Sequence, residues 1–122
     1  MEYVAVQGAT FSYASPITGG PTPVVGPPSL TCTAGGSGMY RDSLLITCPP
    51  GVTDGTCTTV APGVGNMAAT ASKVTADGSL VLRVGDSLTI SGVAGATGGG
   101  SGCSLNITVE ITDAGQTKVR AN

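Results

Sequence analysis

Four cysteines and no histidine set the chemistry this chain can attempt. Cys32, Cys48, Cys57 and Cys103 are separated by 15, 8 and 45 residues, so none forms the Cys-x-x-Cys pair of a zinc ribbon or a redox motif. Four thiolates nevertheless complete a tetrahedral shell for a structural zinc or a single iron without any further ligand. Each cysteine sits beside loop-forming residues, as in Cys48-Pro49-Pro50-Gly51 and Gly102-Cys103-Ser104, where converging loops would present it. That metal set is the expectation. Two disulfides are its rival, and four unlinked buried thiols are the third arrangement. A site filled by four sulfurs leaves no open position for water, so its role is structural.

The missing histidine removes the commonest general base and every Ser-His or Cys-His nucleophilic pair, so no enzyme is expected. With 5 Lys and Arg against 7 Asp and Glu, the chain lacks the basic footprint of a nucleic-acid partner. No apolar run approaches the ~20 residues of a membrane helix. The start, Met1-Glu2-Tyr3-Val4-Ala5-Val6, has no basic n-region and reads as no signal peptide, which implies assembly in the cytoplasm. A reducing cytosol favours a metal over disulfides. The Gly98-Gly99-Gly100-Ser101-Gly102 run would need a following helix to cradle phosphate, and a strand pattern follows it instead. Asn106-Ile107-Thr108 fits the glycosylation acceptor rule but lies within a strand pattern. Asp77 and Asp86 read as turn residues, Asp86 bonding local backbone after Gly85, with Arg83 near enough to pair with it.

These side chains must be held by an all-β fold. The 122 residues make one domain, with Gly at 20 positions, Pro at 8, aromatics at 3% and charged residues at 10%. Residues 104–112 form the clearest strand, with Leu105, Ile107, Val109 and Ile111 on one face and Asn106, Thr108 and Glu110 on the other. The turn composition of residues 113–116 then predicts a C-terminal hairpin with residues 117–120. Asp77-Gly78 predicts a type I′ hairpin between residues 73–75 and 80–84. Strands are also expected at 3–7, 10–13, 44–47 and 87–91, the first two flanking Gly8-Ala9. Residues 66–77 hold enough alanine for a short helical turn, though Thr70, Val74 and Thr75 oppose it. Residues 15–29 carry five prolines and read as an extended loop or arm, and residues 92–102 as a Gly-rich loop. No tandem repeat at solenoid spacing is evident.

Gly78-Ser79-Leu80-Val81-Leu82-Arg83-Val84-Gly85-Asp86 resembles the signature of PAAR-domain proteins: a Gly turn, a short strand ending in Arg, one apolar residue, then Gly-Asp. Val6-Gln7-Gly8-Ala9-Thr10 is similar to the opening of PAAR-like families. The motif residues are therefore Gly8, Ala9, Gly78, Arg83, Gly85 and Asp86. The name-giving Pro-Ala-Ala is Leu80-Val81-Leu82 here, and the family's metal-binding histidines are absent. The resemblance implies a small cone of short β-hairpins and long Gly/Pro-rich loops, closing the trimeric β-helical spike of a contractile phage tail or injection apparatus. It implies one copy per spike trimer, transient contact with a target membrane, and a place in the virion baseplate or injection particle. The alternative from the composition is a small β-rich surface or receptor-binding module, which the scarcity of aromatic residues makes a poor sugar binder.

Overall fold

In the computed structural model, residues 2–14, 17–29, 31–76, 78–98, 102–117 and 119–121 are described. Among them are thirteen strands and no helix. In chain order they are β1 (Glu2–Tyr3), β2 (Thr10–Tyr13), β3 (Val24–Val25), β4 (Thr33–Ala34), β5 (Ser37–Gly38), β6 (Leu44–Cys48), β7 (Cys57–Thr59), β8 (Gly63–Met67), β9 (Thr75–Ala76), β10 (Ser79–Leu80), β11 (Ser87–Thr97), β12 (Gly102–Asp113) and β13 (Arg120–Ala121). The all-β expectation holds.

The strongest alternation in the sequence builds the longest strand. Leu105, Ile107, Val109 and Ile111 of β12 are buried, and β12 is flanked by β11 and β2 in a curled sheet ordered β2-β12-β11-β7. Burying each such side chain stabilises the fold by roughly 1.5–3 kcal/mol. On β11 the register to β12 shifts between Ile90 and Val93. Ser91 and Gly92 form a bulge there, with Gly92 at φ 69°, and its N–H donates to Asn106 Oδ1 at 3.1 Å. The extra residue resets the alternation, so Ile90, Val93 and Gly95 all face the core.

A second sheet, β3-β6-β8, lies over the first. Leu44, Ile46 and Cys48 point inward from β6 while Leu45 points out. The two layers meet closely because β8 turns glycines toward β11. A Cβ at Gly63 would lie 2.8 Å from Val93 Cγ2, and one at Gly65 would lie 3.0 Å from Leu88 Cδ2. Phe11 and Tyr40 close the core edge to face, with ring centroids 5.5 Å apart. A smaller apolar cluster, Val4, Val6, Ala34, Met39, Ala71, Ala76 and Val81, is gathered by the short hairpins.

Several expected elements are corrected. The expected partner of β12 at residues 117–120 is not found: Arg120 and Ala121 pair with Tyr3 and Glu2, because both flanks of β12 are already occupied by β11 and β2, and Lys118 lies outside the described residues. Residues 92–97 and 102 belong to β11 and β12, which corrects the predicted 92–102 loop there; residues 99–101 lie outside the described residues. The bulge, not a loop, explains Gly92. The prolines of the 15–29 stretch leave room for β3, whose Val24 and Val25 pair with Thr47 and Ile46, and the described part of the stretch folds onto the body. Residues 66–76 form no helical turn. The hairpin around Asp77-Gly78 is present, with Ala76 opposite Ser79; Asp77 itself lies outside the described residues.

Candidate functional site

The short elements form a figure that repeats three times. Three two-stranded sheets have matching registers: Thr33↔Gly38 with Ala34↔Ser37, Thr75↔Leu80 with Ala76↔Ser79, and Arg120↔Tyr3 with Ala121↔Glu2. In the last, the two strands come from opposite ends of the chain. Each pair feeds a segment into a central triangle made of residues 3–7, 38–42 and 80–84.

Backbone hydrogen bonds close that triangle in three sets. Ala5 N–H donates to the Leu82 carbonyl at 2.9 Å, Leu82 N–H to Tyr40 at 3.0 Å, and Tyr40 N–H to Ala5 at 3.0 Å. One step outward, Gln7 N–H donates to Gly38 at 2.9 Å, Asp42 to Leu80 at 2.7 Å and Val84 to Tyr3 at 3.0 Å. Within each arm, Val4 N–H donates to Val119 at 2.9 Å, Met39 to Cys32 at 3.0 Å and Val81 to Val74 at 3.1 Å. Single antiparallel bridges follow the same cycle: Val4↔Arg83, Val6↔Met39 and Arg41↔Val81. The backbone bonding of the triangle and its three hairpins is therefore pseudo-threefold. Val4, Ala5, Val6, Val81 and Leu82 in it are fully buried, so no water competes for the ring's bonds.

The motif residues take equivalent places in this figure. Gly8 (φ 102°), Ser43 (φ 61°) and Gly85 (φ 96°) occupy the same step in the three arms. Ser43 is the one non-glycine with positive φ among the described residues, and its arm partners supply the reason: the turn out of the triangle needs a left-handed residue. In two arms the turn closes identically, Ala9 N–H donating to Val6 at 2.8 Å and Asp86 N–H to Arg83 at 3.1 Å. Glycine at the third position with no positive φ at the second makes these type II turns. Gly78 (φ 84°) sits at the end of the two-residue loop joining β9 to β10.

Arg83 and Asp86 are joined by more than the turn. Asp86 is 1% exposed, and its carboxylate accepts from the Thr70 hydroxyl and, at 3.0 Å, from Arg83 N–H. Arg83 Nε donates to Thr70 Oγ1 at 3.2 Å, so Thr70 stands between guanidinium and carboxylate where a direct surface pair was expected. Thr70 had no signal in the sequence beyond its place in an alanine-rich run.

The four cysteines are not brought together. Cys57 and Cys103 form a disulfide, with Cα atoms 6.2 Å apart, that crosses over β11 at Gly95. A Cβ at Gly95 would lie 2.8 Å from Cys57 Sγ. Cys48, 1% exposed, lies in the main core against Tyr13, while Cys32 packs on the smaller cluster. Two sulfurs are consumed in a bond and two lie in different clusters, so a four-sulfur zinc or iron site does not fit this arrangement. Among the described residues no group of three or more metal-ligating side chains converges.

Beside the core, burial and the neighbouring Cys48 thiol push the Tyr13 phenol well above its ordinary value, and burial raises the Cys48 thiol. Tyr13 Oη donates to the Pro21 carbonyl at 2.6 Å. On the outer face of β3-β6-β8, Val24, Thr47 and Val64 stand in one row with Leu45 beside them; Val24 is 58% and Val64 56% exposed. The Arg120 guanidinium stacks 4.4 Å over the Tyr3 ring, fastening the paired chain ends. The described residues include no helix long and apolar enough to cross a membrane. Comparison with family models, curated proteins and solved structures finds no match to this chain.

The threefold figure left a trace in the sequence that corrects the expectation of no repeat, at a spacing within the ~20–50 residues of repeat arrays. Thr-Ala-x-Gly-Ser occurs at 33–37 and again 42 residues on at 75–79, each followed by a variable residue, two apolar residues and Arg. Pro23-Val24-Val25-Gly26 and Pro62-Gly63-Val64-Gly65 precede them.

Proposed function

We propose that this chain is the tip of a trimeric β-helical spike, one copy closing three spike chains on a shared axis. The observation that carries this reading is the pseudo-threefold ring of nine backbone hydrogen bonds around Ala5, Tyr40 and Leu82. A single chain that ends a homotrimer faces three identical surfaces. A fold that repeats its own backbone three times about an axis offers each of them a near-equivalent contact. The resemblance to PAAR-domain proteins supports the same reading, since Gly8-Ala9 and Gly85-Asp86, which carry it, are the same turn in two arms. On this reading the chain belongs to the baseplate of a contractile tail or injection particle and meets the target membrane in passing.

The outward row of Val24, Leu45 and Val64 favours a second reading, a surface-binding module that docks through that uncharged face. Titrating the purified chain onto a trimeric β-helical spike protein separates the two. The tip reading predicts saturation at one chain per trimer. Saturation at three per trimer, or no binding, together with loss of envelope binding in Leu45→Glu, would replace it with the second.

A further inference from the structure

We propose that the Cys57–Cys103 disulfide is a redox-sensitive latch for the proline-rich strap, residues 17–23, and through it for the contact of Tyr13 with the buried Cys48 thiol. The strap lies between β2 and β3. Its first part is held by the loop before β7: Thr18 N–H donates to the Thr53 carbonyl at 2.9 Å, Thr53 N–H returns to Gly19 at 3.0 Å, and Gly20 packs so close to Val52 that a Cβ would lie 2.7 Å from its Cα. That loop is in turn held by β7. Thr59 Oγ1 accepts from Gly51 N–H and Val52 N–H, both at 3.0 Å, and Thr59 N–H donates to Val52 at 2.8 Å.

β7 is a three-residue edge strand paired with β11 through Cys57, Thr58 and Thr59. Its other flank bonds only the loop it must hold, through the Thr53↔Thr58 bridge and the backbone bonds of Cys57 and Thr59 to residues 51–54. The disulfide is the one covalent tie from this edge to the strand beyond, β12. In the core, Cys48 meets Tyr13, whose hydroxyl bonds the strap at Pro21. A short edge strand opens at low cost, so its covalent tie decides how often the strap lifts.

The latch closes by exchange with a small disulfide such as oxidised glutathione. Cys103, the less buried of the two, attacks first as thiolate and expels one glutathione thiolate. Cys57 then attacks the Cys103 sulfur in the mixed disulfide and expels the second. Two electrons pass to the small disulfide and the two thiol protons to its leaving thiolates. A dithiol reverses the sequence.

The test compares the oxidised protein, the same protein reduced with a phosphine under native conditions, and C57S/C103S. N-ethylmaleimide labelling of Cys48 is read by peptide mass, and amide exchange is read at residues 18–20, 51–53, 107 and 109. The latch predicts that reduction speeds Cys48 labelling and exchange at 18–20 and 51–53 at least tenfold more than exchange at Ile107 and Val109. Equal acceleration everywhere would make the disulfide a global staple, and no acceleration would make it idle; either overturns the latch. If the double variant does not fold, the reduced wild-type chain gives the same comparison.

Discussion

The left-handed step in each arm gives the sharpest stability test, because three residues in one conformation differ in chemistry. Gly8 and Gly85 have open space where a Cβ would project, so alanine there changes the backbone energy and little else. A non-glycine residue in this region costs about 1–2 kcal/mol, offset by roughly 0.4–1 kcal/mol from a stiffer unfolded chain. Gly8→Ala and Gly85→Ala should each destabilise by about 1 kcal/mol. Ser43→Gly should do the reverse and stabilise by up to about 1 kcal/mol, since Ser43 at φ 61° already carries the cost. Urea unfolding reads all three as midpoint shifts at constant slope. The sites lie in separate arms, so their effects should add. A destabilising Ser43→Gly, or two costless alanines, would refute the equivalence of the three turns.

Asp86→Ala leaves the half-buried Arg83 N–H without its carboxylate acceptor while the exposed Thr70 turns to water, and should cost about 2 kcal/mol, whereas Asp86→Asn can still accept from Arg83 N–H and donate to Thr70 and should cost about 1 kcal/mol. Gly95→Ala should cost about 2 kcal/mol with the disulfide intact, because its Cβ meets Cys57 Sγ at 2.8 Å and the Thr58 carbonyl at 2.7 Å. Tyr13 holds its proton more tightly folded than unfolded, so its stabilisation is complete below pH about 10 and is lost as pH rises beyond it. Tyr13→Phe should flatten that alkaline slope while losing about 1 kcal/mol at neutral pH with the Pro21 bond.

Strand identity was legible wherever one strand carries its own alternation. Leu105 to Ile111 announces which face is buried, and Gly78 announces a two-residue turn. The sequence is silent where the partner is distant. Residues 117–120 look like half of a local hairpin, and Arg120 and Ala121 instead pair with Tyr3 and Glu2, far away in the sequence. A bulge hides the continuity of β11, because Gly92 has the composition of a loop and the hydrogen bonding of a strand. One disulfide with Cys32 and Cys48 outside it is none of the three arrangements expected for the cysteines, because spacing carries no information about which sulfurs meet across β11. The threefold figure escaped for a related reason. Two arms keep Thr-Ala-x-Gly-Ser and Arg, while the third is divided between the ends and retains chiefly Gly8 and its turn. Backbone bonds need no particular side chains, so an arm can lose its sequence likeness and keep its place in the ring.

The tip reading stands or falls on whether this internal axis is the axis of a spike. A cryo-EM reconstruction of the chain bound to its trimeric spike protein, computed without imposed symmetry, measures that directly. The account predicts one chain per trimer with the Ala5, Tyr40 and Leu82 ring centred on the spike's threefold axis. A chain bound to the side through Val24, Leu45 and Val64, or three chains arranged around the trimer, would contradict it.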